Sequence, residues 1–297
     1  MSSITVSVVI RTYNEQRHLK ALLSAVGSQR DFGLEIETVL VDSGSTDDTL
    51  KIAAQFPLKI VGICKQDFSF GRSLNLGCAA ARGEFLVIVS GHCVPTGPDW
   101  ISKLIAPFKA NDKLAYVYGG QIGDESSHFS ERRIFAKYFP VTSCIPQEGF
   151  YCNNANAALR RAVWEKNPFD EELTGLEDLA LAKALVAQGY LVGYVAEACV
   201  YHLHSESWGQ VRNRFEREAV ALGYIMPEFH LRIRDIGRYF VTAVVRDARA
   251  AFAEGTLGKH FFDILRYRYS QFSGSYHANQ VHRRLSNEAK EAYFYPD

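Results

Sequence analysis

Short β-branched runs alternate with helical stretches along roughly the first 120 residues, and this alternation constrains the fold more than any other feature. Four apolar runs predict buried strands over residues 6–10, 36–41, 58–62 and 84–89. Apolar residues recur at helical spacing between these runs, which predicts helices over 15–29, 47–55 and 73–81. Repeated strand–helix units favour an α/β fold with a mostly parallel, Rossmann-like sheet and helices on both faces.

The rest of the chain has a less regular middle and a helical end. The pattern predicts helices over 100–108 and 178–188, strands over 114–120 and 191–195, and a strand or helix over 155–161. The stretch 126–140 gives no clear assignment. Helices are predicted over 208–225, 233–254 and 257–271. We therefore expect an α/β domain over 1–206, with halves 1–98 and 99–206, and a helical region over 207–297.

Composition and termini exclude several classes of protein. The chain has 297 residues, with 33 Lys plus Arg and 33 Asp plus Glu, and this balance argues against a nucleic-acid binder. Its six cysteines have no CxxC spacing, which disfavours a zinc ribbon or a thioredoxin-type site. The sequence opens directly on a predicted strand, and its apolar runs are shorter than a membrane span. We expect a cytoplasmic protein with reduced thiols and at most peripheral membrane contact.

Polar residues follow the predicted strands, where a doubly wound sheet binds its ligand. The first loop, Arg11-Thr-Tyr-Asn-Glu, lacks the GxGxxG pattern of dinucleotide sites, and the chain also lacks the GxxxxGK[ST] pattern of ATPases. The second strand ends at Asp42. Its carboxylate could accept hydrogen bonds from a ribose or a base, or it could serve only as a turn residue before a helix.

Several motifs in order along the chain resemble family 2 glycosyltransferases, which have the GT-A fold. The runs VSVVIRTYNE, LVDSGSTDDT and FGRSLNLGCAAARGEFLVIVSGHCVP resemble the nucleotide-sugar-binding half of that family. The run NNANAALRRAVWEKNPFDEELTGLEDLALAKALVAQGY resembles its acceptor half, and VYHLHSESWGQVRNRF resembles the segment that follows in rhamnosyltransferase-like members. The resemblance implies inverting transfer of a sugar from a UDP- or dTDP-linked donor to a hydroxyl of a surface glycan or lipid-linked saccharide.

The resemblance also assigns donor binding to residues of the first half. Tyr13 would lie near the base, Asp42 would hold the base or ribose, and Arg72 and Asn75 would lie by the ribose and diphosphate. Arg72 could equally be a surface arginine. The complete donor-binding set that it implies is Thr12, Tyr13, Glu15, Asp42, Arg72, Asn75, Ser90 and Gly91.

The metal motif departs from the family pattern. Members usually carry Asp-x-Asp after the fourth strand to hold Mg²⁺ or Mn²⁺ on the sugar diphosphate, whereas this chain has Ser90-Gly91-His92. Because imidazole suits Mn²⁺ better than Mg²⁺, one interpretation is a Mn²⁺ site formed by His92 with His202 or His204. Two alternatives stay open: His92 hydrogen-bonds the diphosphate without a metal, as in a metal-independent rhamnosyltransferase-like enzyme, or it only packs.

The pair Glu177-Asp178 matches the catalytic motif of the family. Inverting transfer needs a general base that takes the proton of the acceptor hydroxyl, and the resemblance implies Asp178 in that role with Glu177 beside it. Acidic residues are common in the first turn of any helix, but the preceding run Phe169-Asp-Glu-Glu-Leu-Thr-Gly-Leu favours the catalytic interpretation. The missing Asp-x-Asp leaves a non-catalytic nucleotide- or glycan-binding relative as an alternative.

Two further regions carry expectations about acceptor and partners. Asn153, Asn154 and Asn156 resemble residues near the acceptor and the donor sugar, although they could also form a turn. The basic and aromatic run over 261–272 is predicted to pack on the catalytic domain or in a homodimer interface. Its alternative is a helix that lies on a membrane surface.

Overall fold

The computed structural model describes residues 4–30, 33–228 and 233–280. These residues form two compact units. The sheet unit comprises the described residues of Met1–Ile122, Phe139–Leu173 and Glu177–Leu203, and the helical unit comprises those of Gly123–Tyr138, Thr174–Leu176 and His204–Asp297. The change of unit after Leu203 lies beside the expected boundary at residue 206. Residues 123–138 belong to the helical unit because a helix within them contacts two C-terminal helices.

Eight strands form one sheet in the described part of the sheet unit. Along the chain they are β1 (Ile4–Thr12), β2 (Leu34–Asp42), β3 (Lys59–Gly62), β4 (Phe85–Ser90), β5 (Cys93–Pro95), β6 (Leu114–Ile122), β7 (Asn156–Arg160) and β8 (Leu191–His202). Their order across the sheet is β3-β2-β1-β4-β7-β6-β8-β5. The four strands predicted before residue 90 are present, the ambiguous stretch 155–161 holds β7, and β5 is an addition.

The sheet is mostly parallel, as the alternating pattern predicts. Parallel pairs join β1 to β2, β1 to β4, β2 to β3 and β6 to β8. Strand β7 is antiparallel to both β4 and β6, and β5 is antiparallel to β8. The register places Thr12 beside Asp42 and Arg11 beside Ser90. The loops after β1, β2 and β4 therefore open at the same edge of the sheet.

Ten α-helices lie within the described residues, and most match the predicted positions. They are α1 (Leu19–Gly27), α2 (Thr49–Ala53), α3 (Phe70–Ala80), α4 (Trp100–Ala110), α5 (Phe129–Tyr138), α6 (Arg161–Trp164), α7 (Glu177–Ala187), α8 (Trp208–Ile225), α9 (Ile233–Ala253) and α10 (Leu257–Gln280). Helix α8 begins at a capping box, in which Ser207 and Gln210 satisfy each other's backbone N–H groups. Because this bonding is local, the start of α8 can be predicted from the sequence.

The core of the sheet unit has helices on both faces of the central strands. All six residues of β4 are buried, as expected for a strand covered on both sides. Val8 on one face of β1 belongs to the main core with α1 and α4, including Leu22 and Trp100. On the other face, α3 approaches so closely that a Cβ at Gly77 would lie 2.5 Å from Val9 Cγ1. A sheet with both faces covered leaves its edges for ligand binding.

The described residues of the helical unit comprise α5 and α8 to α10. Phe129, Ala251 and Ile264 form its apolar cluster. Arg268 and Asp247 form a buried ion pair, with Arg268 Nη2 2.6 Å from Asp247 Oδ2. Among the described helices of the whole chain, none combines the length and apolar character required to cross a membrane.

Candidate active site

The carboxyl ends of β1 and β2 bring two predicted donor-binding residues together. Thr12 lies beside Asp42 in the register, and Thr12 Oγ1 donates to the Val41 carbonyl oxygen at 3.2 Å. Asp42 is 4% exposed, and its Oδ2 accepts the backbone N–H groups of Gly44 at 3.0 Å and Ser45 at 2.9 Å. These bonds give Asp42 the turn-forming role that its sequence position allows. Its contact with a base or ribose stays a prediction.

Two histidines face each other at the ends of β4 and β8. His92 Nε2 lies 3.1 Å from His202 Nε2, and the two rings are inclined by 25°. His92 Nδ1 lies 2.6 Å from Glu15 Oε1, and His202 Nδ1 lies 2.7 Å from Gln121 Oε1. The antiparallel pairing of Cys93 with His202 brings the two segments together. The structure thus unites three residues that the sequence analysis selected: Glu15, His92 and His202.

The oxygen partners of the two rings indicate where their protons lie. The Glu15 carboxylate and the Gln121 amide oxygen accept hydrogen bonds, so Nδ1 is the donor in each imidazole. A neutral imidazole that donates through Nδ1 presents an acceptor at Nε2. Two such acceptors at 3.1 Å repel each other unless a cation or a proton lies between them. The pair is therefore arranged to receive positive charge.

A divalent cation of the kind that the resemblance implies fits this pair. Two nitrogen ligands bonded to one metal ion at about 2.1 Å lie roughly 3.0–3.4 Å apart. The 3.1 Å between His92 Nε2 and His202 Nε2 falls in that range. Metal-binding histidines usually donate their other ring N–H to a carboxylate or carbonyl oxygen, and Glu15 and Gln121 supply such oxygens here.

Gly91 contributes to the site through close approach of the backbone. A Cβ at this position would lie 2.9 Å from Glu15 Cγ and 2.9 Å from Thr12 Cγ2. The Gly91 N–H donates to the Arg11 carbonyl oxygen at 2.9 Å, which fixes the turn after β4 against the loop after β1. A larger residue at position 91 would push Glu15 away from His92. Ser90, the last residue of β4, is buried beside Arg11.

Asp178 lies buried in the first turn of α7. Its Oδ2 accepts the backbone N–H of Asn154 at 2.7 Å, and its Oδ1 accepts that of Leu179 at 2.7 Å. Burial, followed by the charge of neighbouring Glu177, raises the pKa of Asp178 to about 7. A carboxylate with such a pKa can accept a proton near neutral pH. This behaviour is expected of a general base.

Arg11 connects the end of β1 to the acidic pair. Its Nη1 lies 3.4 Å from Glu177 Oε1, and its guanidinium lies 4.4 Å from the centre of the Phe70 ring. Because Arg11 pairs with Ser90 in the β1–β4 register, this contact places the start of α7 at the same sheet edge as Ser90-Gly91-His92. The donor-side and base-side motifs therefore meet at one edge of the sheet unit.

The three asparagines have different surroundings. The Asn153 Oδ1 accepts from Gln121 Nε2 at 2.9 Å, and Asn154 donates to Asp178 through its backbone. Asn156 is fully buried, and its amide bonds Trp100 and the carbonyl oxygens of Gly120 and Ala198. Those contacts are typical of a residue that joins strands. The acceptor-binding roles of all three residues stay predictions.

Other predicted site residues lie in different surroundings. The Asn75 side chain donates to the Phe169 carbonyl oxygen at 2.9 Å and accepts from Trp164 Nε1 at 3.0 Å, so it fastens α3 to the segment after β7. Arg72 is exposed on α3, and Tyr13 is half-buried after β1. Their donor-binding roles stay predictions.

His204 belongs to the helical unit. Its Nδ1 lies 2.8 Å from Glu131 Oε1, and Arg214 Nη2 lies 2.9 Å from the same oxygen. The predicted metal-binding role of His204 stays a prediction.

Gln121 and Arg11 contact predicted site residues but were not themselves predicted to belong to the site. Gln121, near the end of β6, contacts His202, from which it is separated by 81 positions. Arg11 contacts Glu177 across 166 positions. A polar residue that ends a buried strand is the available signal for Gln121, and Arg11 stands directly before the selected Thr12. Their partners depend on strand order, which the local sequence does not encode.

The family model of Glycosyl transferase family 2 matches residues 7–167 of the 297-residue chain. The site and the fold agree with that match, and the chain belongs to Glycosyl transferase family 2. This confirms the resemblance on which the residue assignments were based.

Curated relatives and a solved structure extend the comparison. The chain is 25% identical to the O-antigen chain rhamnosyltransferase RfbN of Salmonella typhimurium over 225 residues, which cover 71% of this chain and 69% of the relative. It is 28% identical to the O-antigen chain rhamnosyltransferase WbaN of Salmonella anatum over 195 residues, 61% of this chain and 60% of the relative. The structure of mannosyltransferase PcManGT from Pyrobaculum calidifontis, in complex with GDP-Man and Mn²⁺, is similar with a TM-score of 0.62 and 16% identity, covering 92% of this chain and 86% of that chain. This similarity supports the predicted GT-A fold.

Proposed function

We propose that this chain is an inverting glycosyltransferase that moves a hexose or deoxyhexose from a UDP- or dTDP-linked donor to a hydroxyl of a surface-glycan or lipid-linked saccharide. The observation that carries the proposal is the buried carboxyl of Asp178, positioned by the Asn154 N–H at the sheet edge that also holds the facing histidines. The names of the two Salmonella relatives support a surface-glycan acceptor and a deoxyhexose donor.

Asp178 acts as the general base in this proposal. Its carboxylate takes the proton of the acceptor hydroxyl as the hydroxyl oxygen attacks the anomeric carbon, on the face opposite the departing diphosphate. Burial and the Glu177 charge raise the pKa of Asp178 to about 7, which makes it a stronger base than a solvent-exposed carboxylate. Arg11 lies beside Glu177 and keeps that second carboxylate compensated.

His92 and His202 form the cation-binding part of the proposed site. Imidazole ligands favour Mn²⁺ over Mg²⁺, so we propose Mn²⁺ as the partner of this pair. When bound, the cation neutralises charge that develops on the diphosphate leaving group. Glu15 and Gln121 orient the two rings by accepting hydrogen bonds from their Nδ1–H groups, which directs Nε2 of each histidine toward the shared position.

One chain of contacts links the cation-binding pair to the base. Gln121 accepts from His202 through Oε1 and donates to Asn153 Oδ1 through Nε2. The next residue, Asn154, donates its backbone N–H to Asp178. The segment Asn153–Asn154 thus helps to position both His202, which would act on the leaving group, and Asp178, which would act on the acceptor. This arrangement supports one reaction site that holds donor and acceptor together.

The proposal is tested by the variant Asp178→Asn in a donor-turnover assay with UDP- and dTDP-sugars. Loss of a general base is expected to lower kcat by roughly 10²–10⁴-fold, while nucleotide affinity changes by less than about twofold. Glu84→Gln is the matched control. Glu84 is exposed and directly precedes the first residue of β4, whereas the proposed site follows the last residue of that strand. The control variant removes one carboxylate and should preserve turnover.

Two results would contradict the proposal. Wild-type turnover in Asp178→Asn would exclude Asp178 as the base. Nucleotide binding without turnover by the folded wild-type protein, across donors and saccharide acceptors, would favour a non-catalytic relative.

A further inference from the structure

Helix α9 in the helical unit exposes apolar side chains along one line. Val241, Val245 and Phe252 are 57%, 43% and 74% exposed, and Ala248 continues their helical spacing. The opposite side of the helix is buried at Ile236, Ala243, Asp247 and Ala251. The helix is therefore packed on one side and apolar on the other. Scattered exposed apolar residues are ordinary, but a continuous line of them marks an interaction surface.

Basic residues extend and flank this apolar line. Arg234 and Arg238 precede Val241 at alternating spacings of four and three residues, so they lie on the same side of α9, and Arg249 lies at its flank. We call this surface the α9 face, which consists of Arg234, Arg238, Val241, Val245, Ala248, Arg249 and Phe252.

The charge around the α9 face is strongly one-sided. Between Ile233 and Arg266 the exposed basic residues are Arg234, Arg238, Arg246, Arg249, Lys259 and Arg266. The exposed acidic residue in that range is Glu254. A surface of this kind attracts an anionic partner.

Helix α10 adds exposed aromatic groups. Phe262 and Tyr269 are 80% and 67% exposed, and their spacing of seven residues places them on one side of the helix. The run over 261–272 is not exposed throughout, because Tyr267 and Arg268 are buried. That part of α10 packs within the helical unit, and the more continuous exposed line belongs to α9.

We infer that the α9 face binds an anionic lipid membrane, with the helix lying along the bilayer surface. Apolar and aromatic side chains beside arginines are the composition of interfacial helices, and each basic group gains from the negative potential of anionic lipids. A second copy of the chain fits less well, because its α9 face has the same excess of positive charge. This inference does not depend on the proposed transfer reaction.

The first test is sedimentation of the full chain with phospholipid vesicles, without donor or nucleotide. We expect binding to vesicles that contain phosphatidylglycerol, weaker binding to pure phosphatidylcholine, and loss of the difference at high salt. Equal binding to both vesicle types would overturn the inference, as would no binding to either.

Charge variants locate the binding surface. The variant Arg234→Gln/Arg238→Gln/Arg249→Gln should weaken partitioning onto anionic vesicles by roughly 100-fold, since each basic group contributes about fivefold. The matched control Lys20→Gln/Lys109→Gln/Lys113→Gln removes the same charge from exposed positions of the sheet unit. It should bind vesicles within about twofold of the wild type. Equal losses in both variants would overturn the inference, because net charge alone would then explain binding.

An apolar variant separates the membrane from a second copy of the chain. Phe252→Ser should weaken vesicle binding, while sedimentation equilibrium without lipid stays unchanged. Thermal unfolding checks that each variant is folded. A wild-type dimer that Phe252→Ser dissociates would assign the face to self-association and overturn the lipid proposal.

Discussion

Asp178 in the sheet unit and Glu206 in the helical unit are two carboxyl groups whose pKa values shift in opposite directions. In the sheet unit, burial and the like charge of Glu177 raise the pKa of Asp178 to about 7. In the helical unit, burial alone would raise the pKa of Glu206, but the charges of Arg214, His204 and Arg217, together with a hydrogen bond from Arg214, outweigh burial and lower that pKa to about 2. Arg214 Nη2 lies 2.7 Å from Glu206 Oε2. For Glu206 the neighbouring positive charges reverse the effect of burial on the pKa, whereas for Asp178 the like charge of Glu177 adds to that effect.

The same contrast extends to other polar groups. In the helical unit, buried Asp247 faces Arg268, so opposite charges are paired. In the sheet unit, His92 and His202 present ring nitrogens to each other, and two adjacent acids occupy the start of α7. Paired opposite charges satisfy each other, whereas two imidazole acceptors at 3.1 Å favour a cation or a proton between them. The difference supports the proposed reaction site at the sheet edge.

The largest expected effect on stability comes from breaking the compensated pair in the helical unit. Arg268→Met leaves buried Asp247 with only the more distant, exposed Arg246, whose Nε lies 3.7 Å from Asp247 Oδ1. We expect a loss of about 3–5 kcal/mol in the free energy of unfolding. Urea unfolding followed by circular dichroism measures it. The double variant Arg268→Met/Asp247→Leu should recover most of the loss, because it removes both charges. A loss below about 1 kcal/mol in the single variant would contradict this account of the pair.

A smaller effect is expected from Gln121→Leu, which removes the oxygen that orients His202. Loss of such a supporting group typically weakens metal binding by 10–100-fold, and we expect a decrease of about that size in Mn²⁺-dependent nucleotide affinity. Calorimetric titration measures the affinity, and Gln55→Leu on the exposed surface is the matched control. An equal decrease with and without Mn²⁺ would show that Gln121 acts only on the fold.

The smallest expected change concerns the effect of the Glu177 charge on the pKa of Asp178. A general base works when deprotonated, so turnover should rise with pH through an apparent pKa near 7. Glu177→Gln removes the neighbouring negative charge, which should lower the pKa of Asp178 and move the midpoint of kcat to lower pH by about one unit. The pH dependence of kcat measures this shift. A midpoint that stays in place or moves to higher pH would contradict the electrostatic argument.

Much of the fold follows from local sequence. Helix α8 covers the predicted residues 208–225, since the Ser207–Gln210 capping box sets its start. The β-branched runs predict β1, β2 and β4 because buried parallel strands are continuously apolar. Strand β5 and the antiparallel direction of β7 were not predicted. A three-residue strand gives too short a pattern, and strand direction depends on distant partners.

The sequence allowed candidate site residues to be chosen, but it did not reveal most of the contacts between them. Glu15, His92 and Asp178 were selected because the motifs that contain them resemble those of the family. The contacts of Gln121 with His202 and of Arg11 with Glu177 join residues far apart in the chain. An asparagine that contacts a substrate hydroxyl and one that joins two segments look alike in sequence. Asn75 and Asn156 each join two segments in the structure, and their binding roles stay predictions.

Calorimetric titration of UDP and dTDP, with Mn²⁺ and with EDTA, tests the cation-binding claim for the facing histidines most directly. We predict binding of at least one nucleotide that requires Mn²⁺ and is lost in His92→Ala and in His202→Ala, with both variants folded. Equal affinity in EDTA and in Mn²⁺, unchanged by either substitution, would contradict the claim.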